Sequence, residues 1–274
     1  MSAEGAERVM DLIRISNDDG VAHVQLARPA RLNAVDNALF AALIEAGERL
    51  RQDQGLRAVV LSGEGRAFCA GLDMDLFRGM VDGSGGDIGG APIMPRRYGH
   101  ANGPQQAILT WRTLPVPVIA AIHGVAFGAG LQLALAADIR VATPDARLSA
   151  LEMKWGLVPD LGGFAIMRRL TGDDRLRELV YTARVLSGTE AQRYGLVTQV
   201  ADDALGTALN LAREIADRNP AAIRAAKRLA NLALDASEQT LLQAESLEQA
   251  HLIGTAHQIE AVRAALTGDK PDFG

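Results

Sequence analysis

Residues 122–133 read Ile122-His123-Gly124-Val125-Ala126-Phe127-Gly128-Ala129-Gly130-Leu131-Gln132-Leu133. The segment leaves a β-type run at 116–122, turns through Gly128-Ala129-Gly130 and enters an apolar helical pattern over 131–137. A strand that feeds a helix through glycines is an α/β unit, and free N–H groups at such a helix start can hold an anion. Upstream, β-type runs at 21–26 and 58–61 alternate with helical patterns. The clearest helix covers 37–52, with Leu39, Leu43, Ala46 and Leu50 on one face and Asp36 as its N-cap. The expected fold class is therefore α/β.

A chain of 274 residues that is 48% hydrophobic can bury one large core or two unequal ones. Its net charge of −5 argues against nucleic-acid or membrane-surface partners, which require an excess of Lys and Arg to meet phosphates. The single cysteine, Cys69, allows no intrachain disulfide, and residues 1–20 lack the unbroken apolar run of a signal peptide. The near-apolar stretch 124–137 is too short to span a membrane, so a cytoplasmic protein is expected. Other enzyme classes fail on their motifs. No third glycine follows Gly128-Ala129-Gly130 as a dinucleotide site requires, and Ser84 sits in no G-x-S-x-G elbow. His251 and His257, six apart on one predicted helix, face different sides, so no metal is indicated.

Residues 78–104 are dense in Gly and Pro, including Gly83-Ser84-Gly85-Gly86 and Pro92-Ile93-Met94-Pro95, a composition that disfavours regular structure. Either a mobile flap or a tolerated surface insertion fits it, and its place between two motifs favours the flap. From Asp173 onward the pattern is helical, with Asn219-Pro220 opening a helix over 221–234. The broad apolar faces of these helices (Ile223, Leu229, Leu232; Leu241, Leu242, Leu247; Ile259, Val262, Leu266) suit contact with other subunits.

Removing a proton beside a thioester carbonyl places negative charge on its oxygen, and a pair of preorganised N–H groups stabilises that charge. The chemistry then requires a base. Glu152 lies amid Leu148, Leu151, Met153, Trp155 and Leu157, surroundings that raise a carboxyl pKa toward neutrality. Taken alone, a Glu in such a stretch is more often a partnered structural residue than a catalytic one.

Three segments decide between these readings: Arg66-Ala67-Phe68-Cys69-Ala70-Gly71-Leu72-Asp73, the stretch 122–133, and Leu151-Glu152-Met153-Lys154-Trp155-Gly156-Leu157-Val158-Pro159-Asp160-Leu161-Gly162-Gly163. In order and spacing they resemble the enoyl-CoA hydratase/isomerase (crotonase) family, and the similarity runs from about 13 to 273. Its specific element is the joint occurrence of the A-G-x-D turn, the G-A-G helix entry and a Glu twenty residues after Gln132. The resemblance implies a spiral of repeated β-β-α units over 1–200, with 78–104 as an active-site flap. It also implies a helical trimerisation region over 201–274, giving homotrimers or dimers of trimers.

The same resemblance implies backbone oxyanion-hole donors at Leu72 and Ala129, and Glu152 as the proton-exchanging carboxylate. Gln132 stands where hydratases of the family carry a second glutamate, and a neutral amide cannot accept a proton from water. Asp160 stands where the dienoyl-CoA isomerases and aromatic acyl-CoA dehalogenases carry a catalytic carboxylate, although an Asp there could also cap a helix opening near Gly162. Arg31, Leu32 and Ala34 match the segment that meets the nucleotide part of coenzyme A, and Ala70 lies beside the pantetheine path. Gly71, Asp73 and Gly128 belong to the same substrate-binding motifs, and Lys270 and Phe273 match a C-terminal Lys-x-x-Phe that approaches CoA, often from a neighbouring subunit. Met74, Met80, Trp111 and Phe164 are candidate acyl-pocket residues. Coenzyme A arrives as part of the substrate, with no resident cofactor. Double-bond migration or a related enolate reaction is favoured, hydration follows it, and a non-catalytic acyl-CoA-binding protein is the rival from another class.

Overall fold

The computed structural model describes residues 12–84, 88–90 and 92–273. The signal-peptide reading therefore lies outside the described residues for 1–11, and the flap reading does so for 85–87 and 91.

Strand β1 (Ile13–Asp18) turns back into β2 (Val21–Leu26) through Asp19 and Gly20, whose φ values of 49° and 79° make an Asp-Gly hairpin of the kind that matches strand twist. Helix α1 (Asn37–Gln52) and strand β3 (Ala58–Gly63) follow, then α2 (Met74–Asp82) and α3 (Gly103–Arg112). Next come β4 (Val118–Ile122), β5 (Val125–Phe127), α4 (Ala129–Ala136), β6 (Ile139–Ala142) and β7 (Arg147–Ser149). A 3-10 turn over Leu151–Trp155 leads to α5 (Gly163–Met167), α6 (Asp173–Thr182), β8 (Leu186–Ser187), α7 (Gly188–Arg193) and β9 (Gln199–Val200). The chain closes with α8 (Ala204–Ala216), α9 (Pro220–Leu232), α10 (Glu238–Leu252) and α11 (Ala256–Thr267).

Six strands form one sheet in the order β1-β2-β3-β4-β6-β9, parallel beyond the first hairpin, and β5-β7-β8 form a second. Strands covered on both faces read as continuous apolar runs rather than alternating ones. Along β3, Val59 and Leu61 enter the main core with Leu39 and Leu43 of α1, whereas Ala58 and Val60 pack with Ala204, Ala208 and Ala212 of α8. The packed core thus reaches α8.

Asp36 caps α1 through Leu39 N, as its sequence predicts, and Asn219 caps α9 through Ala221 N and Ala222 N. Four sequence expectations change. Residues 78–82 belong to α2, and Gly103 and Pro104 open α3, because Asn102 and Gln105 form a capping box and Pro104 sits in a first turn that needs no N–H from it. The irregular stretch is therefore shorter than its composition suggests. Helix α9 ends at Leu232 rather than 234. The region after Asp173 also contributes two short strands, β8 and β9. His251 and His257 lie on separate helices, α10 and α11, with Gly254 at φ 79° between them.

Helix α9 is fixed to the sheet by Lys227, whose buried Nζ donates to Val116 O at 2.7 Å and Asp138 Oδ2 at 2.8 Å. Asp138 Oδ2 also takes the Val118 N–H at 2.7 Å, so one carboxylate joins helix to strand. Helices α10 and α11 leave Leu242, Leu247, Ile259, Val262 and Leu266 exposed in the single chain.

Candidate active site

Residues 68–70 run parallel to β5. Phe68 N donates to His123 O (2.9 Å), Cys69 N to Val125 O (3.0 Å) and Phe127 N to Cys69 O (3.0 Å). The fully buried Cys69 holds this register from inside the core. Both segments then turn at a glycine, Gly71 at φ 97° and Gly128 at φ 51°. A Cβ on Gly71 would lie 2.8 Å from Phe127 O and 3.9 Å from Ala129 N, so the two turns press on each other and only glycine fits. The residues just beyond them, Leu72 and Ala129, both line a single cavity. Ala129 opens α4 and has no acceptor one turn back. Around Leu72, Gly71 O and Asp73 N are taken by Val35 (2.7 and 2.9 Å), and neither the Leu72 nor the Ala129 N–H donates to a backbone carbonyl of the described residues.

These turns floor a cavity of about 250 Å³ that Gln132, Glu152 and Asp160 also line. Glu152 rides on the 3-10 turn 151–155, and a Cβ on Gly128 would come within 3.3 Å of its Oε1. Gln132 Nε2 donates to Glu152 Oε1 at 2.7 Å, while Gln132 Oε1 accepts the N–H groups of Leu161 and Gly163, both at 2.9 Å. Two facing N–H donors fix which end of the amide is oxygen. Glu152 Oε2 is buried with no hydrogen-bond partner among the described residues. Burial lifts the Glu152 carboxyl above the ordinary carboxylate range and the nearby Asp160 adds to the rise, with the Gln132 hydrogen bond among the contacts opposing it. Asp160 is also raised by burial. Asp160 does not cap α5, whose N-cap is Gly162 without a side-chain bond; its backbone carbonyl instead accepts from Gln105 Nε2 at 3.0 Å.

The remaining expected residues divide. Ala70, Gly71, Leu72, Gly128 and Ala129 line the cavity. Leu32 and Asn33 take left-handed φ values of 51° and 55°, and Leu32 O accepts from Ala70 N at 3.0 Å, which ties the 31–34 segment to the cavity rim. Buried Asn33 supports it by donating to Glu64 O and Ala67 O and accepting from Arg28 N. Ala34 is buried behind this segment, and its carbonyl accepts from Arg28 Nη1. Arg31 faces Asp75 at 3.3 Å. Asp73 is turned away from the cavity, capping α2 through Asp75 N and pairing with Arg28 at 3.1 Å. Lys270 pairs with Asp217 at 2.8 Å, Phe273 meets His257 edge-on at 5.6 Å, and neither lines the cavity within one chain. Of the four acyl-pocket candidates only Met74 lines it, since Trp111 is fully buried in the core. Sequence reasoning missed Phe77, one helical turn after Met74 on α2, and its stacking on Trp155, with centroids 4.4 Å apart and planes at 25°. The i, i+3 spacing of Met74 and Phe77 is the signal that could have found it.

The cavity is therefore lined by Leu72 and Ala129, whose N–H groups have no backbone acceptor among the described residues, and by two carboxyls of raised pKa, Glu152 and Asp160. Comparisons with known proteins point the same way. Residues 16–274 match the family model described as enoyl-CoA hydratase/isomerase. The chain is 34% identical over 251 residues to the mitochondrial Delta(3,5)-Delta(2,4)-dienoyl-CoA isomerase of Mus musculus, covering 90% of this chain and 76% of that one. It is 33% identical over 267 residues to the 1,2-epoxyphenylacetyl-CoA isomerase of Escherichia coli (strain K12), covering 97% and 99%. The solved enoyl-CoA hydratase from Bacillus anthracis superposes with a TM-score of 0.85 at 29% identity, over 96% of this chain and 98% of that one. With its family model, its relatives and its fold in agreement, this chain belongs to the enoyl-CoA hydratase/isomerase family and is an enzyme of the crotonase fold.

Proposed function

We propose that the enzyme moves a double bond in an unsaturated acyl-CoA thioester by proton transfer through an enolate. The observation that carries this reading is the fixed orientation of the Gln132 amide, whose oxygen holds two N–H groups and whose nitrogen donates to Glu152. Such an amide takes no proton from water, which leaves Glu152 and Asp160 as the cavity's proton carriers. The thioester oxygen accepts the N–H groups of Leu72 and Ala129. Glu152 removes a proton from C2, the charge spreads from the oxygen into the conjugated carbons, and a proton returns at C4 from Glu152 or at a more distant carbon from Asp160. One proton leaves and one arrives, so the product is an isomer. The isomerase names of the mouse and Escherichia coli relatives support this class.

Coenzyme A follows the backbone at Arg31, Leu32 and Ala34 and passes Ala70. Lys270 and Phe273 meet it from a neighbouring copy in a trimer or dimer of trimers, a reading supported by the apolar side chains that α10 and α11 leave exposed. No resident cofactor takes part. Among the described residues no helix is long and apolar enough to cross a membrane, and the single cysteine supports a cytoplasmic setting.

Hydration is the second reading. It is favoured by the unpartnered Glu152 Oε2, which with Asp160 could hold a water between two carboxyls. Incubation with 3-enoyl-CoA and 2-enoyl-CoA in deuterated water, followed by mass spectrometry, separates the two. Conversion of the 3-enoyl to the 2-enoyl thioester with deuterium uptake is expected. Prompt 3-hydroxyacyl-CoA without migration would replace the isomerase reading with the second.

A further inference from the structure

We infer that the acyl end of this cavity selects an uncharged, apolar acyl group of modest size and excludes one ending in a carboxylate, with Phe77, Trp155 and Met74 setting that preference. The inference rests on the thioester reading above but not on which reaction follows. Among the described residues that line the cavity, the charged side chains are Glu152 and Asp160, both acidic, and the other hydrogen-bonding side chains are Gln132, which donates to Glu152, and the indole N–H of Trp155. No lysine, arginine, histidine or hydroxyl-bearing residue is among those lining residues. A carboxylate at the far end of an acyl chain would find no cation among these lining residues and would share the space with two carboxyls of its own sign, while Lys154 Nζ stands outside the lining, 5.3 Å from the Trp155 ring centroid. An apolar chain loses nothing there and buries its surface.

The walls are also held at fixed positions relative to the reacting carbonyl. Met74 and Phe77 stand on α2, and that helix is capped by Asp73, the residue directly after the candidate oxyanion donor Leu72. Trp155 lies three residues after Glu152 on the same 3-10 turn. The Phe77–Trp155 stack thus joins α2, which begins two residues after Leu72, to the turn that bears Glu152, and both rings line the cavity. Ile88 and Ile93 add aliphatic surface from the loop before α3. At about 250 Å³ the cavity has room for a phenyl ring or an acyl chain of several carbons.

Saturated thioesters test binding apart from turnover. Octanoyl-CoA, phenylacetyl-CoA and octanedioyl-CoA, the last having the octanoyl length with a terminal carboxylate, are titrated by calorimetry against the full chain. Octanoyl-CoA is expected to bind about tenfold more tightly than octanedioyl-CoA, from repulsion by the two carboxyls and the gain in apolar burial. Equal affinity for these two would overturn the inference, whatever reaction the enzyme performs. Discrimination without deuterium exchange at C2 would uphold the inference and overturn the proposed reaction instead. Tighter binding of phenylacetyl-CoA than octanoyl-CoA would assign the pocket to aryl groups, and the reverse order to chains; either supports an apolar selector. The variant Met74→Arg places a cation on a wall position that is 44% exposed and so tolerates a long side chain. It is expected to raise octanedioyl-CoA affinity about tenfold while lowering octanoyl-CoA affinity. An unchanged ratio, with folding verified by circular dichroism, would remove Met74 from the preference.

Discussion

Gln132 joins Glu152 to the loop that carries Asp160: its nitrogen lies 2.7 Å from Glu152 Oε1, and its oxygen lies 2.9 Å from both Leu161 N and Gly163 N. A glutamate at position 132 could keep the two loop N–H groups but would bring a carboxylate against Glu152 in place of a donor. The Glu152 carboxyl would then lose a bond that favours its charged form and gain a like charge. Glu152 must be ionised to act as a base, so the rising limb of kcat/KM against pH is expected to move to higher pH in Gln132→Glu. A limb that stays in place would show that this amide does not tune Glu152. Gln132→Leu strands two buried N–H groups and should cost about 2–4 kcal/mol of stability in urea denaturation.

Glu152→Gln should lower turnover at least about 1000-fold while acyl-CoA affinity changes little, because the neutral side chain keeps the shape but cannot carry the proton. Retained activity would remove Glu152 from the proton path. Asp160→Asn separates chemistry from capping. Since Asp160 caps no helix and its carboxyl, like that of Glu152, is raised by burial, Tm at pH 7 is expected to rise rather than fall while isomerisation that delivers a proton beyond C4 slows.

The raised carboxyl pKa of Glu152 also has a stability sign. The folded state binds the proton more tightly than the unfolded state, so its contribution is fully present below the ordinary value of 4.5 and is lost as pH rises through the folded value. At neutral pH the buried charge therefore destabilises the native state. Glu152→Gln is expected to raise Tm at pH 7, with the gain disappearing near pH 4. A gain independent of pH would show that burial of the charge is not its origin.

Gly71→Ala should disturb the donor pair without touching either carboxyl. A Cβ at φ 97° and 2.8 Å from Phe127 O forces the turn to move and takes the Leu72 N–H with it. Loss of one oxyanion donor lowers kcat by about 100–1000-fold, with the pH profile unchanged in position. Unaltered kcat in a folded variant would exclude Leu72 from that role.

Lys227→Ala leaves Asp138 and Val116 O without their buried partner and is expected to destabilise the fold by about 3–5 kcal/mol, measured by urea denaturation. Activity per folded molecule should be preserved, because Lys227 lies outside the cavity.

The parts of the site that are legible in the sequence are those whose meaning is local. Gly71 announces a turn because a Cβ has no room at its φ of 97°, Gly128 because its φ of 51° comes with a ψ of −117° that suits glycine, and Asp36 announces a helix because the N–H it caps, Leu39 N, is three residues away. Glu152 and Asp160 stand out through spacing from Gln132. What the sequence conceals depends on partners distant along the chain. The bonds from Gln132 to Leu161 and Gly163 span 29 and 31 residues, and the Phe77–Trp155 stack joins two separate elements. Asp73 sits in a substrate-binding motif yet is occupied by Arg28, forty-five positions earlier. Composition also misjudges 78–104 at its ends, where a capping box turns Gly103-Pro104 from apparent loop into helix.

Cys69 lies two residues before the glycine that shapes the oxyanion turn, in an enzyme family whose members handle electrophilic, unsaturated thioesters. A free thiolate at that place would add to the double bond of each passing substrate and become alkylated. Burial pushes the Cys69 thiol up to about 12, and its side chain is sealed beneath Gly130, where an added Cβ would meet Cys69 Cβ at 2.8 Å. The same tight crossing of strand and helix that sets the turns at Gly71 and Gly128 thus keeps the chain's only thiol protonated and out of reach, which protects the catalyst from its own reactant.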